Sequence, residues 1–261
     1  MISRRTPTLF NRRLRNGKTT PAVMTCEDDD DALEVVVKLS AGCERAETSL
    51  AMEMVSALLA GDLGIPLPEP YFLEMDAEVL ASIPDRDWAA LAARSNALAF
   101  GSKLLPAAFS AWTPGTVPVG RMTADAAGAL LFDIAIDNVD RRGTNPNCLV
   151  RGDDLRIIDH ELAFPPYLFG AQPPWVVGSL QYMAASGIHI FRDALYRRPV
   201  DWVPIAAAWK ALADSQLEDY GNCLPVEWAA AAPHVASAID KIKRVRDNID
   251  ACVVEVQRLL T

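Results

Sequence analysis

The chain has 261 residues, 51% of them hydrophobic, and a formal charge of −9. That length and apolar content exclude disorder as the main state and allow one substantial core, or two lobes sharing a cleft. The acidic balance argues against nucleic acid as a partner, and no apolar run reaches the roughly 18 uncharged residues of a membrane span, since Ala126 to Ile136 is interrupted by Asp133.

The first segment is basic: Arg4, Arg5, Arg12, Arg13, Arg15 and Lys18 all precede the first acidic residue, Glu27. An Arg-rich, acid-free start suits a transit peptide or a docking arm, but Leu9-Phe10 and the turn signal at Asn16-Gly17 suit a first strand and hairpin, the reading preferred. Gly17-Lys18-Thr19 resembles the end of a P-loop motif, yet Arg12 stands where the first glycine would be and no strongly apolar strand precedes it, so that motif is rejected. A hairpin turn at Asn16-Gly17, with Thr19 and Thr20 following, is expected instead. Glu27 to Asp31 are five consecutive acids and are expected at a solvated turn.

Glu34-Val35-Val36-Val37-Lys38-Leu39 is a β-branched strand pattern ending in a lysine. Leu50, Met54, Ala57 and Leu58 then recur at helical spacing, which places Glu53 beside Ala57 and Leu50 on the flank of the apolar face. Glu47 shares that face if the helix starts early. A Pro-rich connection, Leu63 to Pro70, leads to a strand at Tyr71–Met75 and a short helix over Asp85–Ala93. Ala97–Ser102, an apolar segment around Gly101, is the candidate hinge, and a buried helix is expected over Thr123–Ile136.

The segment from Asp133 to His160 carries the chemistry. Cys148–Val150 and Leu155–Ile158 read as two strands joined at Arg151-Gly152-Asp153-Asp154. Counting from a turn centred on Asp153 sets Asn147 beside Asp159 at the open end, a pair of hard oxygen ligands suited to Mg²⁺. Asp140 enters from the preceding loop, where a carboxylate is able to take a proton from an attacking hydroxyl. Asp133 is a candidate anchor for that loop, or a helix-end carboxylate bonded to backbone.

The tail from His234 to Leu260 shows one amphipathic stripe through Val235, Ile239, Ile242, Val245, Ile249, Val253 and Val256, and is expected to pack on the body. Five scattered cysteines without a C-x-x-C pair suit free thiols in a reducing cytoplasm, and the three histidines lack zinc-ligand spacing.

Asn138-Val139-Asp140-Arg141, Asn145-Pro146-Asn147-Cys148-Leu149 and Ile158-Asp159-His160 resemble the catalytic and metal-binding segments of HipA-like kinases; a similar turn occurs in type II phosphatidylinositol 4-kinases. The resemblance spans roughly Asn16 to Phe164 in the correct order. It implies an α+β, two-lobed protein-kinase-like fold: a small β-rich N-lobe with one key helix (residues 1–102) and a larger helical C-lobe (103–261). It also implies ATP and Mg²⁺ as cofactors. Lys38, held by Glu53 with Glu47 as rival, would orient the phosphates beneath Gly17, Thr19 and Thr20. Asp140 would be the catalytic base, with Asn147 and Asp159 as metal ligands. Conventional kinases place the metal asparagine five residues after the base, which is Asn145, so Asn145 stays as the alternative to Asn147. Arg141 would balance charge near the transferred phosphoryl group, and His160 would neighbour the metal ligand without being one.

The expected activity is transfer of the γ-phosphate to a hydroxyl, foremost of a protein Ser/Thr. A lipid or small-molecule acceptor, nucleotidyl transfer, and a nucleotide-binding pseudokinase acting through a regulatory partner protein are the alternatives.

Overall fold

The computed structural model describes residues 2–14, 17–28, 31–166 and 172–261. Strands β1 (Ser3–Arg5), β2 (Pro7–Arg13), β3 (Ala22–Asp28) and β4 (Asp31–Lys38) lead into helix α1 (Glu47–Asp62). Strand β5 (Pro70–Glu74), the short helices α2 (Ala77–Ser82) and α3 (Arg86–Ala93), and strand β6 (Leu98–Lys103) complete a six-stranded sheet ordered β1-β5-β6-β4-β3-β2. The acidic run falls at the β3–β4 reversal, where Asp28 pairs with Asp31; Asp29 and Asp30, like Arg15 and Asn16, lie outside the described residues.

Alternation along the strands sorts side chains between two cores. Val35, Val37, Tyr71, Leu73 and Ala99 face α2 and α3, together with Trp88 of α3. Phe72, Leu98 and Phe100 face α1 and the C-terminal helices. Lys38 follows Val37 and so falls on the α1 side of the sheet. Short helices α2 and α3 are each started by an aspartate: Asp76 accepts from Val79 N–H at 2.8 Å and Asp85 from Trp88 N–H at 3.0 Å.

Ala97–Ser102 is not a hinge. Most of it is β6, a central strand bonded to β4 on one side and β5 on the other. Gly101 serves close packing there, because a Cβ on it would lie 2.5 Å from Leu73 Cδ1. The chain leaves the sheet after Lys103 and starts a second, three-stranded sheet at β7 (Ser110–Ala111).

Helix α4 (Met122–Ala135) follows, then strands β8 (Cys148–Arg151) and β9 (Asp154–Ile157) of the second sheet. The remaining elements among the described residues are helical: a 3₁₀ turn over Gln181–Met183, α5 (Ile190–Leu195), α6 (Val203–Lys210), α7 (Asp214–Asn222), a 3₁₀ segment over Val226–Ala231, α8 (Ala232–Asp247) and α9 (Ile249–Leu259). The amphipathic tail is therefore two helices. They break at Asn248, whose backbone leaves helical geometry (φ −117°, ψ 20°) and whose side chain donates to Arg244 O at 2.8 Å.

The 3₁₀ segment ties the helical part to the sheet. Trp228 Nε1 donates to Leu98 O at 3.0 Å and its ring meets Phe72 edge-on at 5.3 Å. Glu227 receives Arg4 of β1 at 3.0 Å and, through its carbonyl, Asn96 at 2.6 Å. No helix among the described residues is long and apolar enough to cross a membrane.

Candidate active site

Helix α1 is buried nearly all round, eleven of its sixteen residues being inaccessible, so it has no polar flank at Glu53. Glu53 is 4% exposed and needs a counter-charge. Lys38, at the end of β4, supplies it by pairing with Glu53 Oε1. The same ammonium lies 2.6 Å from Asp159 Oδ1 and 3.5 Å from Glu161 Oε2. Glu47, in the first turn of α1, is not among the ion-pair partners of Lys38 in the described residues. Burial alone would lower the Lys38 pKa, but Asp159, Glu53 and Glu161 outweigh it and raise the value well above the usual range. Burial likewise pushes Glu53 up, against the stronger pull of Lys38 and His160, which holds it near 2.

Three carboxylates, Glu53, Asp159 and Glu161, present oxygens within 4.8 Å of one another around that single ammonium. The imbalance shows at Glu161. Burial, with repulsion from Asp159 and Glu53, raises it to about 7 although Lys38 opposes the shift. A site this rich in hard oxygen donors and short of positive charge fits a divalent cation such as Mg²⁺.

The β8–β9 hairpin sets the register of the second half of the site. Arg151 pairs with Asp154 and Cys148 with Ile157, so the turn is the two-residue Gly152-Asp153. Ile158 N–H therefore donates to Asn147 O at 2.9 Å, and Asp159 comes one residue beyond Asn147's partner rather than opposite it. Asn147 (φ 43°) and Asp159 (φ 64°) both turn left-handed as the chain leaves the ladder, a conformation Asn and Asp tolerate better than most residues.

Asp140 lies in the loop between α4 and β8. Its Oδ2 accepts from Asn145 Nδ2 at 2.8 Å and, more weakly, from Asn147 Nδ2 at 3.4 Å. Both asparagines thus turn their amide nitrogens toward Asp140, which leaves the Asn147 amide oxygen for another partner. Asn145 is exposed, whereas Asn147 is 9% exposed.

Arg141 is turned into the body of the protein. It is fully buried and forks onto Asp133 of α4, Nε to Oδ2 at 2.5 Å and Nη2 to Oδ1 at 3.2 Å. Its Nη1 donates to the Asn147 and Ile158 carbonyls, and Nη2 meets His160 Nε2 at 3.0 Å. Asp133 also accepts from Asn138 Nδ2 at 2.7 Å and His189 Nε2 at 3.0 Å. Burial would raise Asp133, but Arg141 and His189 hold it well below the carboxylate range. Asp133 is therefore the anchor of the loop that carries Asp140.

Arg45, just before α1, fixes the segment after Asp159 from the other side. It donates to the carbonyls of Phe164 (3.1 Å), Glu161 (2.5 Å) and Ala163 (2.8 Å). Sequence reasoning assigns neither Arg45 nor Glu161 to the site. Glu161 has a signal in its position two residues after Asp159; Arg45 has none, because its partners are backbone atoms far along the chain.

The turn between β2 and β3 is longer than a two-residue hairpin, closing with Leu14 N–H on Pro21 O at 2.8 Å. Gly17 sits at φ 117°, a conformation L side chains rarely adopt. Thr19 is buried, which turns its hydroxyl away from solvent, and the Thr20 carbonyl accepts from Trp88 Nε1 of α3 at 3.0 Å.

The family model described as HipA-like kinase matches residues 9–256. Among solved structures, one described as a Helicobacter pylori proinflammatory kinase CtkA matches with a TM-score of 0.56 at 10% identity, covering 98% of this chain and 99% of that one. No curated protein matches. That likeness places a β-sheet N-terminal region and a helical C-terminal part in a kinase-like α+β fold. With the family model spanning nearly the whole length, the chain belongs to the HipA-like kinase family, and its activity class is that of a kinase-type phosphotransferase.

Proposed function

We propose that the chain transfers the γ-phosphoryl group of ATP, with Mg²⁺, to the hydroxyl of a protein serine or threonine. The observation that carries this reading is Lys38, held between Glu53 and Asp159, in a structure whose Asp140 carboxylate is oriented by Asn145 and Asn147. The Ser/Thr acceptor is the one that the resemblance to HipA-like kinases suggests, and the free thiols of Cys43, Cys148, Cys223 and Cys252 suit a reducing cytoplasm.

Lys38 binds the α- and β-phosphate oxygens, exchanging its contact with Asp159 for the nucleotide while Glu53 keeps it in place. The covering turn lays Gly17, Thr19 and Thr20 over the phosphates through the backbone, since Thr19 keeps its side chain inside. Asn147 and Asp159 would hold Mg²⁺, which when bound neutralises charge on the phosphates. Asp140 orients the acceptor hydroxyl and takes its proton as the hydroxyl oxygen bonds the γ-phosphorus and the bond from that phosphorus to the β,γ-bridging oxygen breaks, with ADP as the leaving group. Arg141 acts behind it, fixing the loop. Catalysis of this kind is largely positioning plus charge stabilisation, and the residues between 1–102 and 103–261 divide accordingly into a nucleotide-covering and a catalytic portion.

Calorimetric titration tests the division of roles. Asp140→Asn is expected to abolish transfer with Mg·ATP affinity nearly intact, and Asp159→Asn to weaken metal-dependent nucleotide binding itself. Equal loss of binding in both variants would refute the assignment.

A further inference from the structure

A chain of side-chain contacts runs from the nucleotide-binding lysine to the far side of the catalytic loop. Lys38 pairs with Glu53, and Glu53 Oε2 lies 3.6 Å from His160 Nδ1. His160 Nε2 meets Arg141 Nη2 at 3.0 Å, Arg141 forks onto Asp133, and Asp133 Oδ2 meets His189 Nε2 at 3.0 Å. Glu53, His160, Arg141, Asp133 and His189 are all at most 4% exposed.

The chemistry fixes which way each imidazole faces. A guanidinium has donors only, so Nε2 of His160 is an acceptor and its proton sits on Nδ1, toward Glu53. His189 is the reverse: its Nδ1 accepts from Phe191 N–H at 3.2 Å, so Nε2 carries the proton and gives it to Asp133. The two rings are held in opposite tautomers by the groups around them.

We propose that His160 is a positioning residue that couples the seating of α1, through Glu53, to the geometry of the catalytic loop, through Arg141. This coupling rests on the phosphotransferase reading of the same site. Arg141 spans both sides of the hairpin mouth by donating to the Asn147 and Ile158 carbonyls, and it directly follows Asp140 in the chain. If α1 moves and withdraws Glu53, the Nδ1–H of a buried imidazole loses the carboxylate that faces it at 3.6 Å, an electrostatic loss that favours rearrangement of the ring. The acceptor offered to Arg141 then moves as well. Loss of the Lys38 clamp and loosening of the loop therefore occur together. A ring that merely filled space would need only its edge-on contact with Phe132, at 5.6 Å between centroids.

With only three histidines in the chain, ¹⁵N spectra of the ring nitrogens and of arginine Nε–H report on the coupling directly. The expected wild-type result is His160 protonated at Nδ1 and His189 at Nε2. Glu53→Gln is expected to shift the Arg141 Nε–H resonance in the wild-type background and to leave it in place in His160→Leu. In transfer assays His160→Leu should lower kcat by about tenfold or more with KM for Mg·ATP within about twofold, and His160→Gln, which keeps an amide donor and acceptor, should recover much of the loss. A proton on Nε2 of His160, or an Arg141 resonance indifferent to Glu53→Gln, overturns the coupling. If His160→Leu fails to fold, the wild-type and His160→Gln spectra still decide. Absence of transfer by the wild-type chain would count against the phosphotransferase reading and leave the spectroscopic result standing.

Discussion

Removing Asp133 strands Arg141 as a charge with no counter-ion in a fully buried place, both side chains being 0% exposed. Breaking a buried pair from one side typically costs about 3–5 kcal/mol, and here Asn138 and His189 lose the charge of their acceptor as well. Asp133→Asn should therefore destabilise the chain by about 3–5 kcal/mol, which for a chain of this size lowers Tm by roughly 6–20 °C. Arg141→Met should cost a similar amount, since it leaves Asp133 ionised among neutral donors and two hairpin carbonyls without this partner. Replacing both, as Asp133→Asn with Arg141→Met, removes the charge problem, keeps an amide oxygen as acceptor at 133 and leaves mainly those carbonyls, so the double variant should fall short of the sum by at least about 2 kcal/mol. Urea unfolding, with Cm and m compared across the four proteins, measures this. Single costs under about 1 kcal/mol, or additivity within about 0.5 kcal/mol, would refute the anchoring role of the pair.

Asn147→Ala should reduce transfer far more than Asn145→Ala, because Asn147 is the buried residue at the hairpin mouth whose amide oxygen stays available; steady-state rates rank the two, and the reverse order would move the ligand to Asn145. Lys38→Met should cost orders of magnitude in kcat, Glu53→Gln less, and the double variant less than the product of the two, since residues acting as a unit are non-additive. Glu53→Gln also has a signature in pH. Glu53 is held near 2, below its ordinary value of 4.5, so its contribution is complete above the unfolded pKa and is lost as pH falls from about 4.5 toward 2. Acid unfolding of the wild type should accordingly be steeper across that window than that of Glu53→Gln.

Most of the site is legible in the sequence because its parts are local patterns in a fixed order: a β-branched strand ending in Lys38, a helical repeat around Glu53, and Asp140, Asn147 and Asp159 punctuating two short strands. Sequence misleads where it gives position without direction. Adjacency to Asp140 suggests Arg141 near the reacting phosphate, yet successive residues in a tight loop face opposite ways and its fork belongs to Asp133. The hairpin register differs because a turn centred on Asp153 and the two-residue turn Gly152-Asp153 are half a residue apart, enough to give Asn147 the partner Ile158. The glycine in Ala97–Ser102 suggests a hinge, whereas Gly101 is there to admit Leu73. The tail's apolar stripe continues across Asn248, so periodicity alone does not show the break between α8 and α9.

Parallel incubation of the purified chain with γ-labelled and α-labelled ATP, Mg²⁺ and a protein acceptor tests the central claim most directly. The expected result is label on the acceptor from the γ position alone, lost on chelation of Mg²⁺ and lost in Asp140→Asn. Label arriving from the α position would make the chain a nucleotidyl transferase, and no label from either, with nucleotide still bound, would make it a pseudokinase; each contradicts γ-phosphoryl transfer by the Lys38–Asp140–Asp159 site.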